Sequence, residues 1–212
     1  VAALDAGVAG VVAKSVNENP AAARQLARAD YLRLDRRGAP TAWDGEGDAL
    51  FNRSGLQPRD AGEWFHALSQ LDREAARNQR FVAASVVMAS VEGAAGLAAT
   101  AQRAGIRVFE LNVGAPHASE AAPGAIVLET DPESLRATVA AVRGAAPRLQ
   151  LWVKLTGLSA QLPALAVAAR AGGADAVAMM GRFMALVPDI ETFAPAMNTS
   201  AAYGGPWALP IV

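Results

Sequence analysis

Cysteine is absent from the 212 residues, and histidine occurs only as His66 and His117. Without cysteine the protein has no disulfide and no thiolate nucleophile. Two histidines are also too few for the usual zinc and transition-metal ligand sets. His66 lies inside a predicted helix, two residues after Trp64, where a structural role is favoured. We therefore predict no metal site.

The sequence also lacks an excess of either charge, because 19 basic residues stand against 20 acidic ones. Binding to nucleic acid or to anionic lipid depends on a positive excess. No stretch of 18 uncharged apolar residues occurs, and the N-terminus lacks a basic-then-apolar signal. We expect a cytoplasmic protein with a small-molecule substrate and without nucleic acid or membrane as partners. A homodimer is left open.

Three well-known site motifs are missing as well. No Gly-x-Gly-x-x-Gly follows a predicted strand, no phosphate-cradling P-loop occurs, and no Gly-x-Ser-x-Gly marks a nucleophile elbow. A dinucleotide-binding sheet and Ser/His/Asp hydrolysis are therefore disfavoured.

Lysine is scarce, with two lysines against 17 arginines in a chain that contains 51 alanines. This composition is typical of GC-rich coding bias, under which exchangeable lysines become arginines. Lys14 and Lys154 each stand at the end of a short apolar run. A compact ammonium differs from a planar guanidinium in its chemistry, so we predict functional roles for both.

Five short apolar runs could form buried strands. They cover residues 8–13, 81–87, 107–111, 151–155 and 174–180. Runs that are apolar on both faces are typical of parallel sheets covered by helices.

Helical signals lie between these runs. Asp60, Asp131 followed by Pro132, and Ser159 are each predicted to cap a helix. Three Ala-Gly pairs, at residues 6–7, 104–105 and 171–172, each precede an apolar run, and we expect the glycine to end a helix in a left-handed turn. The pattern predicts successive βα units with right-handed crossovers.

The predicted fold class is α/β, an incomplete (β/α)8 TIM barrel, because the loops after the strands are polar. Five strands are visible where eight are needed. The chain opens on Val1 and closes on Val212 within apolar sequence, so we expect a piece of a longer protein, with the first and last strands missing. Residues 1–212 would form one partial barrel domain with a long inserted loop around 30–59, for which a functional role is favoured.

Polar residues follow three of the strands. They are Lys14 and Ser15, then Asn112, then Lys154 with Thr156. In a barrel these positions face one pocket. Two ammonium groups with amides and hydroxyls would suit a polar, electron-rich or anionic ligand.

Six segments carry a family resemblance. They are Val11-Val12-Ala13-Lys14-Ser15, Asn52-Arg53-Ser54-Gly55-Leu56, Glu110-Leu111-Asn112 followed by Pro116, Trp152-Val153-Lys154-Leu155-Thr156, Ala174-Asp175-Ala176-Val177 and Tyr203-Gly204-Gly205-Pro206. Their order resembles the dihydroorotate dehydrogenase family of flavin-dependent (β/α)8 barrels, including the related domain of dihydropyrimidine dehydrogenase. The resemblance covers nearly the whole chain.

The resemblance implies an FMN-dependent oxidoreductase of pyrimidine metabolism that acts on a CH–CH bond and passes hydride to flavin N5. The residues it implies for FMN are Lys14, Ser15, Asn112, Lys154, Gly204 and Gly205. The residues it implies for the substrate are Asn52, Asn112, His117 and Arg182. Lys154 would lie near flavin N1, where a cation stabilises the charge of the reduced ring.

The chain departs from the family pattern on the substrate side. Ala115 stands at the position of the family's catalytic Cys or Ser, and it cannot accept a proton. His117 replaces a substrate-binding Asn and Ser119 follows it, so we name these two as candidate catalytic residues. Arg182 replaces an amide and could pair with a substrate carboxylate.

Three alternatives stay open. Lys154 could form a Schiff base in an aldolase-like barrel. The chain could be a flavin-binding barrel without dehydrogenase activity, which Ala115 supports. A relative of the tRNA-dihydrouridine synthases is the third, although the near-neutral charge and the missing cysteine count against it.

Overall fold

The computed structural model describes residues 2–19, 22, 30–43, 49–53, 55–115, 128–157, 159–179, 181, 183–197 and 201–207. Its helices are α1 (Ala2–Asp5), α2 (Ala61–Ala76), α3 (Val91–Arg103), α4 (Pro132–Ala145) and α5 (Leu162–Ala171). Its strands are β1 (Gly10–Val12), β2 (Asp30–Leu34), β3 (Pro40–Thr41), β4 (Ala49–Arg53), β5 (Phe81–Val87), β6 (Val108–Asn112), β7 (Gln150–Lys154), β8 (Ala176–Ala178), β9 (Phe183–Ala185) and β10 (Ala201–Gly204). Within these residues no helix has the length and apolar character needed to cross a bilayer.

Five strands form a parallel sheet in the order β1-β5-β6-β7-β8. The helices α2 to α5 follow or precede these strands in alternation, and the sheet curls into a half-barrel. The predicted fold class, an incomplete α/β barrel, is confirmed. All five predicted apolar runs overlap a strand of this sheet, to within one residue at the ends of β6 and β7.

The outer face of the parallel sheet packs against the helices. Alternate strand residues such as Val86, Leu111 and Val153 are buried there in the main hydrophobic core, together with Phe65 of α2 and Leu135 of α4. The residues between them point to the concave inner face, because side chains alternate along a strand. The central strands β5 and β6 are buried along nearly their whole length, whereas β1 and β8 at the two edges of the sheet are partly exposed.

Two of the three predicted helix caps are confirmed. The Asp60 carboxylate accepts hydrogen bonds from the backbone N–H groups of Gly62 and Glu63 at the start of α2, and Asp131 accepts from Ser134 at the start of α4. The predicted cap at Ser159 is wrong. Helix α5 begins later, after Gln161, and the Ser159 hydroxyl accepts from the Gln161 N–H in the preceding turn.

Two of the three glycine junctions are also confirmed. Gly7 and Gly105 adopt left-handed φ values of 99° and 87°. At the third junction the left-handed residue is Gly173, with φ of 102°, whereas Gly172 has φ of −75°. Gly172 is required for packing instead, because a Cβ there would lie 2.6 Å from the Arg136 carbonyl oxygen of α4.

A second, antiparallel sheet was not predicted. Its strand order is β3-β2-β4-β10-β9, so the predicted inserted loop around 30–59 contributes three strands and the C-terminal region two. Its core is formed by Leu34, Ala49, Phe51, Met197 and Ala201. The Gln57 N–H donates to the Ser15 carbonyl at 2.8 Å, which ties the chain after β4 to the end of β1.

A buried carboxylate stabilises the amino-terminal edge of the parallel sheet. Asp72 of α2 is 1% exposed and accepts from the Val82 N–H at 2.8 Å and from Arg107 Nε and Nη2 at 2.6 and 2.7 Å. The hydrogen bonds between Arg107 and Asp72 raise the pKa of Arg107 above its ordinary value. The contact joins α2, β5 and the start of β6.

We expect Asp72→Asn to lower the free energy of unfolding by about 2 kcal/mol, because a charge-assisted pair is lost while half-exposed Arg107 regains water. Urea unfolding followed by circular dichroism measures this change. Glu133→Gln is the control, since it removes an exposed ion pair with Arg136 on α4. An unchanged unfolding midpoint for Asp72→Asn would contradict the prediction.

Candidate functional site

Polar side chains gather on the inner face of the half-barrel, towards the carboxyl ends of the strands. Ser85 of β5, Glu110 and Asn112 of β6, and Lys154 of β7 occupy inner-face positions. Asn112 and Lys154 are register partners on neighbouring strands. The carboxyl ends of parallel strands are where α/β barrels place their sites.

Hydrogen bonds connect these side chains across the sheet. Lys154 Nζ lies 3.0 Å from Glu110 Oε1, and Ser85 Oγ donates to the same oxygen at 2.8 Å. Ser15 Oγ lies 2.8 Å from Ser85 Oγ. The chain of contacts thus runs from the end of β1 through β5 and β6 to β7, four consecutive positions in the sheet. We call Ser15, Ser85, Glu110 and Lys154 the polar ladder.

The number of hydroxyl hydrogens determines which atom donates in each hydrogen bond of the polar ladder. A serine hydroxyl has one hydrogen, and Ser85 donates its hydrogen to Glu110. Ser15 must therefore donate to Ser85. The Ser15 oxygen then meets any ligand as an acceptor.

A local bulge brings Ser15 to the inner face. The Ala13 N–H donates to the Ala83 carbonyl, and the next ladder bond runs from the Val16 N–H to the Ser85 carbonyl. Three residues of the first strand region thus oppose two residues of β5. Regular alternation would turn the Ser15 side chain towards the helices, as it turns Ala13. The extra residue of the bulge turns the Ser15 side chain to the inner face instead.

Lys14 precedes Ser15 within this bulge and is exposed. Its carbonyl accepts from the Trp64 indole N–H at 3.0 Å, which fixes the backbone against α2. The Arg59 guanidinium lies over the same indole ring at 5.6 Å. A pocket shared by Lys14 and Lys154 stays a prediction.

Asn112 is buried, and its side-chain oxygen accepts from the Gly114 N–H at 3.1 Å. The oxygen is therefore used within the chain, and the amide nitrogen is the group with hydrogens to donate. Gly114 itself lies against β7, because a Cβ there would lie 2.6 Å from backbone atoms of Leu155 and Thr156. The ends of β6 and β7 approach each other closely at this point.

Asn52, Gly204 and Gly205 belong to the region of the antiparallel sheet. Asn52 of β4 is fully buried and pairs in register with Ala202 of β10, while Gly204 pairs with Leu50. Gly205 follows the end of β10. The structure therefore places these predicted residues on a different sheet from the lysines, joined to it through the Gln57–Ser15 hydrogen bond.

The remaining predicted residues divide into two groups. His117, Ser119 and Arg182 lie outside the described residues. Ala115 is described and is 3% exposed. Its methyl side chain has no group that could accept a proton.

Glu110 and Ser85 carry no role predicted from the sequence. Glu110 is 3% exposed although it carries a carboxylate. A signal was present, because a single acidic residue inside the apolar run Val108-Phe109-Glu110-Leu111 is rare in a buried strand unless it has a partner. The identity of that partner follows only from the pairing of β6 with β7.

Comparison with known proteins gives the family context. No protein-family model matches the chain. A dihydroorotate dehydrogenase B (NAD(+)) catalytic subunit of Methanocella arvoryzae is 36% identical over 129 residues, which cover 59% of this chain and 42% of that protein. The corresponding subunit of Carboxydothermus hydrogenoformans is 36% identical over 124 residues, or 58% and 39% of the two chains.

A second type of relative matches to a similar degree. Dihydroorotate dehydrogenase A (fumarate) of Limosilactobacillus reuteri is 35% identical over 112 residues, which cover 52% of this chain and 35% of that enzyme. The matched part thus spans about 35 to 42% of the length of these curated relatives. The predicted resemblance to the dihydroorotate dehydrogenases is confirmed over these 52 to 59% of the chain, which is less than the nearly complete coverage expected from the sequence.

Proposed function

We propose that this divergent relative of the dihydroorotate dehydrogenases forms part of an FMN-dependent oxidoreductase that acts on the CH–CH bond of a pyrimidine-type substrate. Cytoplasmic pyrimidine metabolism is the setting we propose. The observation that carries the proposal is Lys154, which Glu110 holds on the inner face at the carboxyl edge of a half-barrel. The relatives named above support the reaction class.

The polar groups of the described residues fit a flavin, whose ring gains negative charge when it is reduced. Lys154 offers a cation, Asn112 an amide N–H and Ser15 an acceptor oxygen, near the carboxyl ends of β7, β6 and β1 of the same parallel sheet. We propose that these three residues, together with Lys14, Gly204 and Gly205, would hold FMN. When bound, FMN supplies the acceptor for hydride removed from the substrate.

The polar residues named for the site then each have a task in the reaction. Lys154 stabilises negative charge that develops beside it, an interaction that is typically worth about 3 kcal/mol when the donor is preorganised. Asn112 and Asn52 orient the substrate by hydrogen bonds and so keep the reacting carbon in transfer geometry. His117 or Ser119 takes the substrate proton, since Ala115 cannot.

The absorption spectrum of the intact protein as isolated tests the cofactor. We expect flavin bands and, after denaturation, released FMN on chromatography in a ratio near one per chain. Anaerobic addition of dihydroorotate or a related dihydropyrimidine should then bleach the flavin absorbance. A colourless preparation that fails to take up added FMN would refute the proposal.

A flavin-binding barrel without dehydrogenase activity is a second candidate, and buried Ala115 favours it. Photoreduction separates the two functions. If dihydropyrimidines leave the flavin oxidised while light with a sacrificial donor reduces it, the second candidate is correct.

The Schiff-base alternative is disfavoured by the polar ladder. Lysines that form Schiff bases are activated by an apolar pocket or a cationic neighbour, whereas Lys154 lies 3.0 Å from a carboxylate oxygen. Borohydride treatment in the presence of a carbonyl substrate should leave no covalent adduct on Lys154.

A further inference from the structure

Glu110 lies at the centre of the polar ladder. Its side chain is 4% exposed, and one carboxylate oxygen receives hydrogen bonds from both Lys154 and Ser85. A carboxylate buried to this degree is strongly destabilising unless it is paired and hydrogen-bonded. The fold therefore tolerates Glu110 in buried β6 because Lys154 and Ser85 donate hydrogen bonds to it.

The charged neighbours of this carboxylate are few among the described residues. Lys154 on β7 supplies the positive charge. The facing inner positions are Ser85 on β5 and alanines 176 and 178 on β8, which carry no charge, and Lys14 adjoins Ser15 at the end of β1. The negative charge of Glu110 thus acts chiefly on Lys154.

The same contact restrains Lys154. A lysine ammonium ends a flexible four-carbon chain with many rotamers, and the bond to a rigid, buried carboxylate limits them. The Lys154 side chain keeps 28% of its surface exposed, so a ligand on the inner face can still reach it.

We propose that Glu110 is a positioning residue, whose carboxylate holds the Lys154 ammonium on the inner face and, through Ser85, fixes the hydroxyl of Ser15 as an acceptor. The restraint on Lys154 is a property of the chain alone. Its consequence for flavin rests on the proposed function. The two parts are therefore tested separately.

Lysine reactivity tests the restraint without flavin. Lys14 and Lys154 are the lysines of residues 1–212. After reductive methylation of the intact protein with labelled formaldehyde, mass spectrometry of the peptides that contain them follows each side chain separately, and Lys14→Arg and Lys154→Arg assign the two products. We expect Glu110→Gln to raise the methylation rate of Lys154 at least fivefold, because the ammonium is no longer tied to a carboxylate. Lys14 should change less than twofold.

Two further variants sharpen this measurement. Ser85→Ala removes the hydrogen bonds of Ser85 to Ser15 and to Glu110 but keeps the Glu110–Lys154 ion pair, so it should leave the Lys154 rate within twofold. Glu133→Gln removes an exposed carboxylate on α4 and should do the same. If circular dichroism shows that Glu110→Gln does not fold, Glu110→Asp replaces it, with an expected two- to threefold increase. An unchanged Lys154 rate in the folded variant overturns the proposal.

Flavin binding tests the consequence in the intact protein. The ratio of the affinities for reduced and oxidised FMN should fall about tenfold in Glu110→Gln, because the Lys154 ammonium is no longer held where it stabilises the reduced ring. A tenfold change corresponds to about 30 mV for a two-electron couple. Asp72→Asn removes a buried carboxylate at the opposite edge of the sheet and should leave the ratio unchanged. If Glu110 only stabilised the fold, Glu110→Gln would leave this ratio unchanged and would not raise the methylation rate of Lys154 above that of Lys14.

The methylation and flavin-binding measurements test the positioning role of Glu110 and the proposed function separately. If the intact protein binds no FMN, the proposed function fails, and the methylation rates still decide whether Glu110 positions Lys154. If FMN binds but Glu110→Gln leaves both the lysine rate and the affinity ratio unchanged, the positioning role is wrong and the proposed function stands.

Discussion

Replacing Lys154 by methionine in the intact protein is expected to slow substrate-dependent flavin reduction by roughly 10²- to 10³-fold, the usual effect of removing one preorganised electrostatic contact. Methionine keeps the length and apolar character of the stem but removes the charge. Anaerobic stopped-flow measurement of flavin bleaching gives the rate. Substrate affinity should change less than the rate, because the charge develops only as the reaction proceeds.

A structural side effect must be separated from this result. Lys154→Met leaves the buried Glu110 carboxylate without its cation, which destabilises the fold as well. The double variant Lys154→Met with Glu110→Gln removes both charges, so we expect it to recover stability while reduction stays slow. Arg136→Met on the outer surface of α4 is the control. Wild-type reduction in the Lys154→Met protein would exclude the proposed role of this lysine.

Gly114→Ala is expected to lower the free energy of unfolding by about 3 kcal/mol, at the upper end of the range for an overpacked site. The added Cβ would lie 2.6 Å from the Leu155 carbonyl group and the Thr156 Cα. Backbone atoms cannot turn away as a side chain can, so the ends of β6 and β7 must separate. Urea unfolding followed by circular dichroism measures the loss.

The same substitution at Gly144 is the matched control. Gly144 lies in α4, and a Cβ there would meet no atom within 4 Å. Gly144→Ala should stabilise the protein by about 0.5 to 1 kcal/mol, because alanine favours the helix over the unfolded chain. Equal effects of the two substitutions would show that close approach of the strands is not the cause.

Local sequence determined the elements of the half-barrel. Continuous apolar runs predict strands because the central strands of a parallel sheet are covered on both faces, and each run overlaps a strand of that sheet. The caps at Asp60 and Asp131 were predictable because their hydrogen bonds reach only two or three residues along the chain. The scarcity of lysine also pointed to Lys154, although not to its partner.

Predictions failed where two local signals competed. Ser159 is a good cap residue, but α5 begins two residues later than that cap implies, with Leu162 and Pro163 in its first turn. Gly172 and Gly173 are adjacent glycines, and close packing on α4 requires the first while the turn requires the second. The sequence alone does not tell which need applies to which glycine.

Tertiary structure alone decided the antiparallel sheet and the polar ladder. Strand β4 pairs with β10, and these segments lie about 150 residues apart in the chain, so no local pattern connects them. Ser15 reaches Ser85 through a bulge that is defined by the neighbouring strand, and Glu110 meets Lys154 because β6 lies beside β7. Local propensity acts over a few residues, whereas these contacts depend on which strands become neighbours when the sheet closes around its core.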